Sequence, residues 1–356
     1  MKIVIKVGTQ SILAADGSPI DSLLLNLVEQ VTHLQRSGHQ VIIVSSGAVG
    51  SGRKVARHFL QKEHRNTVGE KQLLASIGQP ELMNIYSTLF RTQKILVSQL
   101  LLTKQDFQTR QHYLNIARLL HELLKHSNIV PIINENDSVA IEELMFTDND
   151  ELAGLIAAQV NADRLIILTN VDGVFTSHPN DSDSKIIKII DPNNGWPSVS
   201  SEKSALGRGG MLSKLATARK MSDLGVVTTI ANINIPTVII DIINKKEVGT
   251  TILAHKKKSN IKRWIAFNGS KKSGSIAIND NLFSLLKAQN HVLSILPIGI
   301  EKFAGDFKKG DLIDIFNSKN EKVGIGIARY DFKKLDEYLG EKNKPAFIHY
   351  DHLHVF

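Results

Sequence analysis

The feature that most constrains this chain is a series of short runs apolar at nearly every position, each separated from the next by a stretch with helical spacing. "KIVIKVG" (2–8) and "HQVIIVSSG" (39–47) read as strands buried on both faces, because a strand with one wet face would alternate polar and apolar residues. Between them, "DSLLLNLVEQVTHLQRSG" sets Leu24, Leu27, Val31 and Leu34 on one helical face, with Asp21 suited to the N-cap and Gly38 to the C′ position. The pattern repeats: the strand "KILVSQLLL" (94–102), a helix through 109–126 and the strand "NIVPIIN" (128–134). A helix at "DELAGLIAAQVNA" (150–162), a strand at "RLIILTN" (164–170), a helix over 211–224 and a strand at "GVVTTIAN" (225–232) follow. Buried strands joined by helices predict a three-layer α/β/α fold with a mainly parallel central sheet, and such sheets bind ligands outside the carboxyl ends of their strands.

Past about residue 260 the texture changes to short strand-like pieces broken by Gly, Asn, Asp and Lys turns, with one helical segment near 281–289. The predicted organisation is an α/β domain over 1–255, a linker at 256–261, a small β-rich domain over 262–340 and a tail at 341–356. At 356 residues, 42% of them hydrophobic, the chain can bury a large core. Cysteine is absent, which excludes disulfides and thiolate metal sites. "MKIVIKVGT" enters a strand with no signal-peptide core, and no run of about 18 apolar residues occurs, so a cytoplasmic location is expected. The formal charge of +8 fits either a nucleic-acid surface or attraction for anionic small molecules. The basic runs "HKKKSNIKR" and "GSKKSG" read as a solvated linker or rim, and lack the interleaved aromatics of a base-stacking surface.

The stretch "ALGRGGMLSKLATARKMSDLG" (205–225) places glycines 207, 209 and 210 just ahead of a helix whose apolar face is Met211, Leu215, Ala218, Met221 and Leu224. A helix N-terminus offers free N–H groups and partial positive charge, glycine lets an anion approach the backbone, and Lys214 in the first turn would add a full charge. The strict P-loop and dinucleotide fingerprints are both missing, and a flexible loop before an ordinary helix is the competing reading. "VSSGAVGSG" (44–52) could set Ser46 and the Gly47 and Ala48 amides around an anion, or form a tight turn. Lys6, inside an apolar strand, needs an anionic partner if buried, or a route to solvent.

"INENDSVA" (133–140) closes the fourth strand-like run, where Asn134 and Asp137 could hold an ammonium group or make an Asx turn. In "FTDNDEL", Asp148 and Glu151 have capping-box spacing, which leaves Asp150 to orient the two lysines, to help hold a metal, or to face the helix dipole. No His pair has metal-ligand spacing and no G-x-S-x-G elbow occurs, so zinc and serine-hydrolase chemistry have little support.

Taken in order, the lysine of the first strand, "SSGA", "NEND", "DND", "LTNVDGVF" and "GGMLSK" resemble the amino acid kinase family over nearly the whole chain. Within it they resemble enzymes that phosphorylate free L-glutamate. "KRWIAF", "ILPIGI", "GDFKKGDLIDI" and "GIARYD" look like the small β-barrel PUA domain that bacterial members carry. The resemblance implies transfer of the ATP γ-phosphoryl group to the glutamate side-chain carboxylate, the first step of proline synthesis, with Mg2+ as counter-ion of the nucleotide. It implies catalytic roles for Lys6, Lys214 and Asp150, and a glutamate site of Ser46, Gly47, Asn134, Asp137, Asp148 and Asn149. The implied nucleotide site is Lys6, Thr169, Asn170, Arg208, Gly209, Gly210, Met211, Leu212, Ser213 and Lys214. Asn170 and Arg208 depart from the family pattern, where Asp and a small residue are usual. The resemblance also implies inhibition by proline, homo-oligomerisation and hand-over of the product to glutamyl phosphate reductase. Kinases of N-acetylglutamate, aspartate or carbamate, RNA binding through the PUA-like segment, and a non-catalytic regulatory relative, to which Asn170 and Arg208 point, are the competing readings.

Overall fold

The computed structural model describes residues 1–61, 67–108, 110–139, 146–177, 181, 183–197, 210–255, 274–287 and 293–355. The chain divides into two compact units, Met1–Asp106 with Leu114–Lys257 and Phe107–Tyr113 with Lys258–Phe356.

The larger unit runs β1 (Lys2–Val7), α1 (Asp21–Arg36), β2 (Gln40–Ser45), α2 (Ala48–Leu60), α3 (Val68–Thr92) and β3 (Leu96–Leu102). The chain continues through α4 (Lys104–Gln108) and α5 (Arg110–Leu123), whose residues Phe107–Tyr113 are grouped with the smaller unit, and then through β4 (Ile129–Glu135), α6 (Asn149–Gln159), β5 (Arg164–Thr169) and β6 (Ile189–Ile190) of the larger one. The last elements are α7 (Met211–Asp223), β7 (Val227–Asn232), α8 (Val238–Ile243) and β8 (Thr250–Ile252). The eight strands form one sheet in the order β3-β4-β2-β1-β5-β7-β8-β6, parallel throughout except for the antiparallel β7–β8 pair. Five of the six apolar runs thus become interior strands, as their lack of alternation requires, while "KILVSQLLL" becomes the partly exposed edge strand β3.

Strand alternation sorts the two faces. Ile3, Ile5 and Val7 of β1 pack in one core with Leu24, Leu27, Val28, Val31 and Leu34 of α1, Leu82, Tyr86 and Phe90 of α3, and Val238, Ile239 and Ile242 of α8. Lys6 therefore projects to the opposite face, which α6 covers. The α1 periodicity holds, and Gly38 takes the positive φ of +80° that a helix C′ position favours. Asp21 is not the cap: Ile20 holds that position with no side-chain hydrogen bond, and Asp21 lies in the first helical turn, where its charge complements the dipole.

Helices α2 and α3 cross with their backbones in contact. A Cβ on Gly78 would overlap Ala48 O and Gly52 N, and one on Gly52 would overlap Leu74 O, so neither position admits a side chain without moving a helix. This crossing draws the middle of α3 toward the N-terminus of α2.

The smaller unit comprises β9 (Gly274–Ile278), α9 (Asp280–Lys287), β10 (Ile300–Ala304), β11 (Leu312–Phe316), β12 (Lys322–Ile327), α10 (Phe332–Tyr338) and β13 (Leu353–Val355). Its sheet order is β10-β9-β11-β12-β13, with β9 and β11 parallel and the other pairs antiparallel. Ile276, Ile278, Phe307, Ile313, Ile315, Phe347 and Ile348 share a separate core. Among the described residues, no helix of either unit is long and apolar enough to cross a membrane.

Candidate active site

The register of the parallel sheet brings the ends of four strands side by side. Lys6 of β1 lies opposite Val44 of β2 and Ile167 of β5, and Asn134 of β4 lies opposite Leu101 of β3. Lys6, Ser46, Asn134 and Thr169 therefore all sit at the carboxyl edge of the sheet.

Helix α6 starts at this edge. Asp148 is its N-cap, and its Oδ1 accepts from the Asp150 and Glu151 amides at 2.9 and 3.1 Å. Half of the expected capping box is therefore present. The other half differs, since Glu151 Oε2 accepts from the amide of Thr147 at 3.0 Å, outside the helix, rather than from that of Asp148. The cap leaves Asp150 in the first turn, fully buried at 0% exposure. Lys6 Nζ stands 2.9 Å from its Oδ1, and Lys214 Nζ donates to its Oδ2 at 3.0 Å. Two ammonium groups 208 residues apart in sequence thus share one carboxylate, and both lysines are themselves buried. Of the three readings open for Asp150, this geometry matches orientation of the two lysines.

The charges explain the titration of both carboxyls. Burial alone would raise Asp150, but the Lys6 and Lys214 charges outweigh it and hold the carboxyl below its ordinary value. Asp148 goes the other way: burial first, then the Asp150 carboxylate beside it, push it up against the opposing pull of Ser213, the Glu151 amide and Lys6. A raised carboxyl pKa means that ionised Asp148 costs folding stability, a cost absent below the unfolded pKa and incurred as pH rises through the folded one. Asp148→Asn retains a capping oxygen, so it is expected to raise the Tm of the ligand-free protein at neutral pH. A lower Tm by calorimetry at pH 7 would contradict this.

Around α6 runs a polar chain. Asn149 Nδ2 donates to Ser46 Oγ at 2.7 Å and to Asn134 Oδ1 at 3.0 Å, and Asn134 Nδ2 donates to Gln79 Oε1 at 2.9 Å. Gly47 adopts φ +114° at the N-cap of α2, the conformation that a tight turn here demands of glycine. Asp137 is partly buried in the turn after β4. On the other side, Thr169 ends β5, and Asn170 Nδ2 reaches Gln10 Oε1 at 3.4 Å. Helix α7 opens at Met211 with Gly210 as an N-cap that has no side-chain hydrogen bond; Leu212 is exposed, and Met211 and Ser213 are half-buried. Arg208 and Gly209 lie outside the described residues.

Four residues that the sequence reading passed over belong to this region: Gln79, Ser45, Tyr86 and Glu135. Ser45 Oγ and the buried Tyr86 hydroxyl are 3.0 Å apart, and burial pushes the Tyr86 phenol up to about 12. Glu135 Oε1 accepts from the Phe146 amide at 2.8 Å, tying the end of β4 to the segment that leads into α6. Ser45 and Glu135 were legible as parts of "SSGA" and "NEND", whereas nothing local marks Gln79 and Tyr86.

Residues 1–232 match the amino acid kinase family, and residues 284–344 match the PUA domain. The chain is 40% identical to the glutamate 5-kinase of Chlorobaculum tepidum across 99% of this chain and 97% of that protein. With the glutamate 5-kinase of Bacteroides thetaiotaomicron it shares 37% identity across 99% and 98%. A solved structure of T. acidophilum isopentenyl phosphate kinase in a product complex covers 71% of this chain and 100% of its own, with a TM-score of 0.50 and 16% identity, a likeness of fold alone. Since the family match takes in β1 to β5, α6 and α7, and the relatives align nearly end to end, this chain belongs to the amino acid kinase family.

Proposed function

We propose that the protein is a glutamate 5-kinase, which moves the γ-phosphoryl group of ATP onto the side-chain carboxylate of L-glutamate. The observation that supports this most is the pair of buried ammonium groups held on one buried carboxylate at the carboxyl edge of the sheet. Phosphoryl transfer passes through a loose transition state with charge spread over the equatorial oxygens, so the protein's task is to align two anions and to neutralise that charge. A glutamate carboxylate oxygen attacks the γ-phosphorus, the bond to the β,γ-bridging oxygen breaks, and ADP leaves with that electron pair.

No general base is required, because the attacking carboxylate is already ionised at neutral pH. Asp150 is also unsuited to that role, since each of its oxygens faces an ammonium and its pKa is lowered. It holds Lys6 and Lys214 at a fixed separation, and the amides that open α7 receive the nucleotide phosphates. Mg2+ keeps waters and binds substrate phosphates in preference to all-protein cages, and would enter on the triphosphate; the lysine-occupied oxygens of Asp150 are poorly placed to ligate it.

On the amino-acid side, Ser46, Gly47, Asn134, Asp137, Asp148 and Asn149 form the glutamate pocket. The raised Asp148 carboxyl would gain from a bound cation, which fits the α-ammonium of a free amino acid. Asp137→Ala is accordingly expected to raise the glutamate KM about tenfold or more with the ATP KM little changed, through loss of a charge-assisted contact. An unchanged glutamate saturation curve would remove Asp137 from the pocket. The same reading carries proline as a competing ligand of this pocket, a homo-oligomeric state, a cytoplasmic location and hand-over of the labile acyl phosphate to glutamyl phosphate reductase. Incubation with Mg-ATP, hydroxylamine and each of glutamate, N-acetylglutamate, aspartate and carbamate tests the assignment. Hydroxamate from glutamate in clear preference is expected, and preference for another acceptor refutes it.

A further inference from the structure

The polar chain beside α6 has a direction that the backbone dictates. Asn134 Oδ1 receives the Glu135 main-chain amide at 2.8 Å, and a main-chain N–H can only donate. The atom of Asn134 at that point is therefore its oxygen, so its nitrogen faces Gln79, and Gln79 must present Oε1 to it at 2.9 Å. At the other end, the Asn149 side-chain nitrogen lies 3.3 Å from the main-chain carbonyl of Ser45, which can only accept. The same nitrogen gives its protons to Asn134 Oδ1 and Ser46 Oγ.

Two consequences follow at the pocket. Asn149 Oδ1 is turned away from all these partners and is buried with no hydrogen-bond partner among the described residues. Ser46 Oγ, already accepting, has its own proton free to donate outward. The chain thus offers one bare acceptor and one directed donor, which suits the ammonium and carboxylate of a free amino acid.

We infer that Gln79 is a positioning residue for the amino-acid substrate: by accepting from Asn134 Nδ2 it holds in place the amide chain whose orientation the two main-chain groups set, with Asn149 Oδ1 as an acceptor and the Ser46 hydroxyl as a donor. Gln79 touches no reacting atom. It sits on α3, only 7% exposed, one residue after the Gly78 that lets α3 lie against α2, which explains how a residue of a separate helix reaches the pocket. Removal of its oxygen leaves the buried Asn134 Nδ2 without its acceptor, so Asn134 shifts to find another and Asn149 loses a fixed partner.

This inference rests on the glutamate kinase reading, and the experiment separates the two. Steady-state kinetics with Mg-ATP are measured for the wild type, Gln79→Met and Gln79→Glu, with hydroxamate formation as readout. Gln79→Met is expected to raise the glutamate KM about tenfold or more with the ATP KM within about twofold, and to narrow the preference for glutamate over N-acetylglutamate. Gln79→Glu keeps the accepting oxygen and is expected to stay within about threefold of wild type. If Gln79→Met does not accumulate folded, Gln79→Asn, whose shorter arm draws the amide back by one carbon, is read for the same split. Unchanged glutamate KM in the folded Met or Asn variant, equal losses in both KM values, or a Glu variant as impaired as the Met variant overturns the inference. Wild-type protein that forms no hydroxamate from glutamate defeats the kinase reading instead.

Discussion

Lys214→Ala and Lys6→Ala are each expected to lower kcat by a factor of about a hundred to a thousand, with the glutamate KM within about threefold of wild type. The reason is where their charge acts. A preorganised charge aimed at the transferring group is worth about 3 kcal/mol in the transition state and much less in the ground state, so its loss falls on kcat. Both ammonium groups are already desolvated and held within 3.0 Å of the Asp150 oxygens, so no reorganisation is needed when negative charge spreads over the phosphoryl oxygens. The two effects should combine non-additively, because the lysines share one carboxylate and act on one group. Steady-state kinetics over both substrates check this. A variant with wild-type kcat, or one whose loss lies wholly in glutamate KM, would reassign that lysine.

Asp150→Ala carries the second large effect, and here the main readout is stability. Removal of one partner from a buried ion pair leaves uncompensated charge, at a cost of about 3–5 kcal/mol, and Asp150 partners two lysines at once. Denaturant titration at pH 7 should show that loss together with loss of turnover. The triple variant Lys6→Met, Asp150→Ala, Lys214→Met removes the stranded charges and should regain much of the stability while remaining inactive. The pH dependence has a fixed sign. Asp150 is lowered in the folded state, so its contribution is present above the ordinary carboxyl value of 3.8 and is lost as pH falls through the lowered folded value. Wild type should therefore lose this share on acidification, and Asp150→Asn should not. An Asp150→Ala protein as stable as wild type would mean that the lysines find other anions.

Much of the kinase unit was legible because its physics is local. Strands apolar at nearly every position belong inside a covered sheet, which holds for all but the edge strand β3, and the helical faces of α1 and α7 carried their own period. Helix α3 was not legible, and its sequence shows why: Gly69, Gly78 and Pro80 are signals that ordinarily end a helix, yet all three lie within Val68–Thr92. The tertiary demand at Gly78, where backbone meets backbone, overrides local propensity. Strand β8 was hidden by its brevity, three residues whose pairing with β7 depends on a turn around Gly249 at φ +69°.

The site divides along the same line. Asp148 announced itself as a cap through its spacing to Glu151, and the lysine of β1 was conspicuous because a charge within an apolar strand demands an explanation. That Lys6 and Lys214 meet at Asp150 was not derivable from spacing, since β1, α6 and α7 are brought together only by strand order and by the alternation that turns Lys6 toward α6. Gln79 carried no signal at all. Its role depends on the direction of an amide chain fixed by two main-chain groups, which appears only once three helices and two strands are assembled.

The claim on which this account turns is that two lysines bound to one carboxylate act on a single phosphoryl group as it moves to glutamate. Rapid-quench single turnovers with saturating Mg-ATP and glutamate, trapped with hydroxylamine, measure that step directly in wild type and in Lys214→Ala, with calorimetry to verify that both substrates still bind. The account predicts γ-glutamyl hydroxamate from wild type at a rate about a hundredfold or more above that of the variant. Equal rates in the two proteins, or no hydroxamate from wild type, would contradict it.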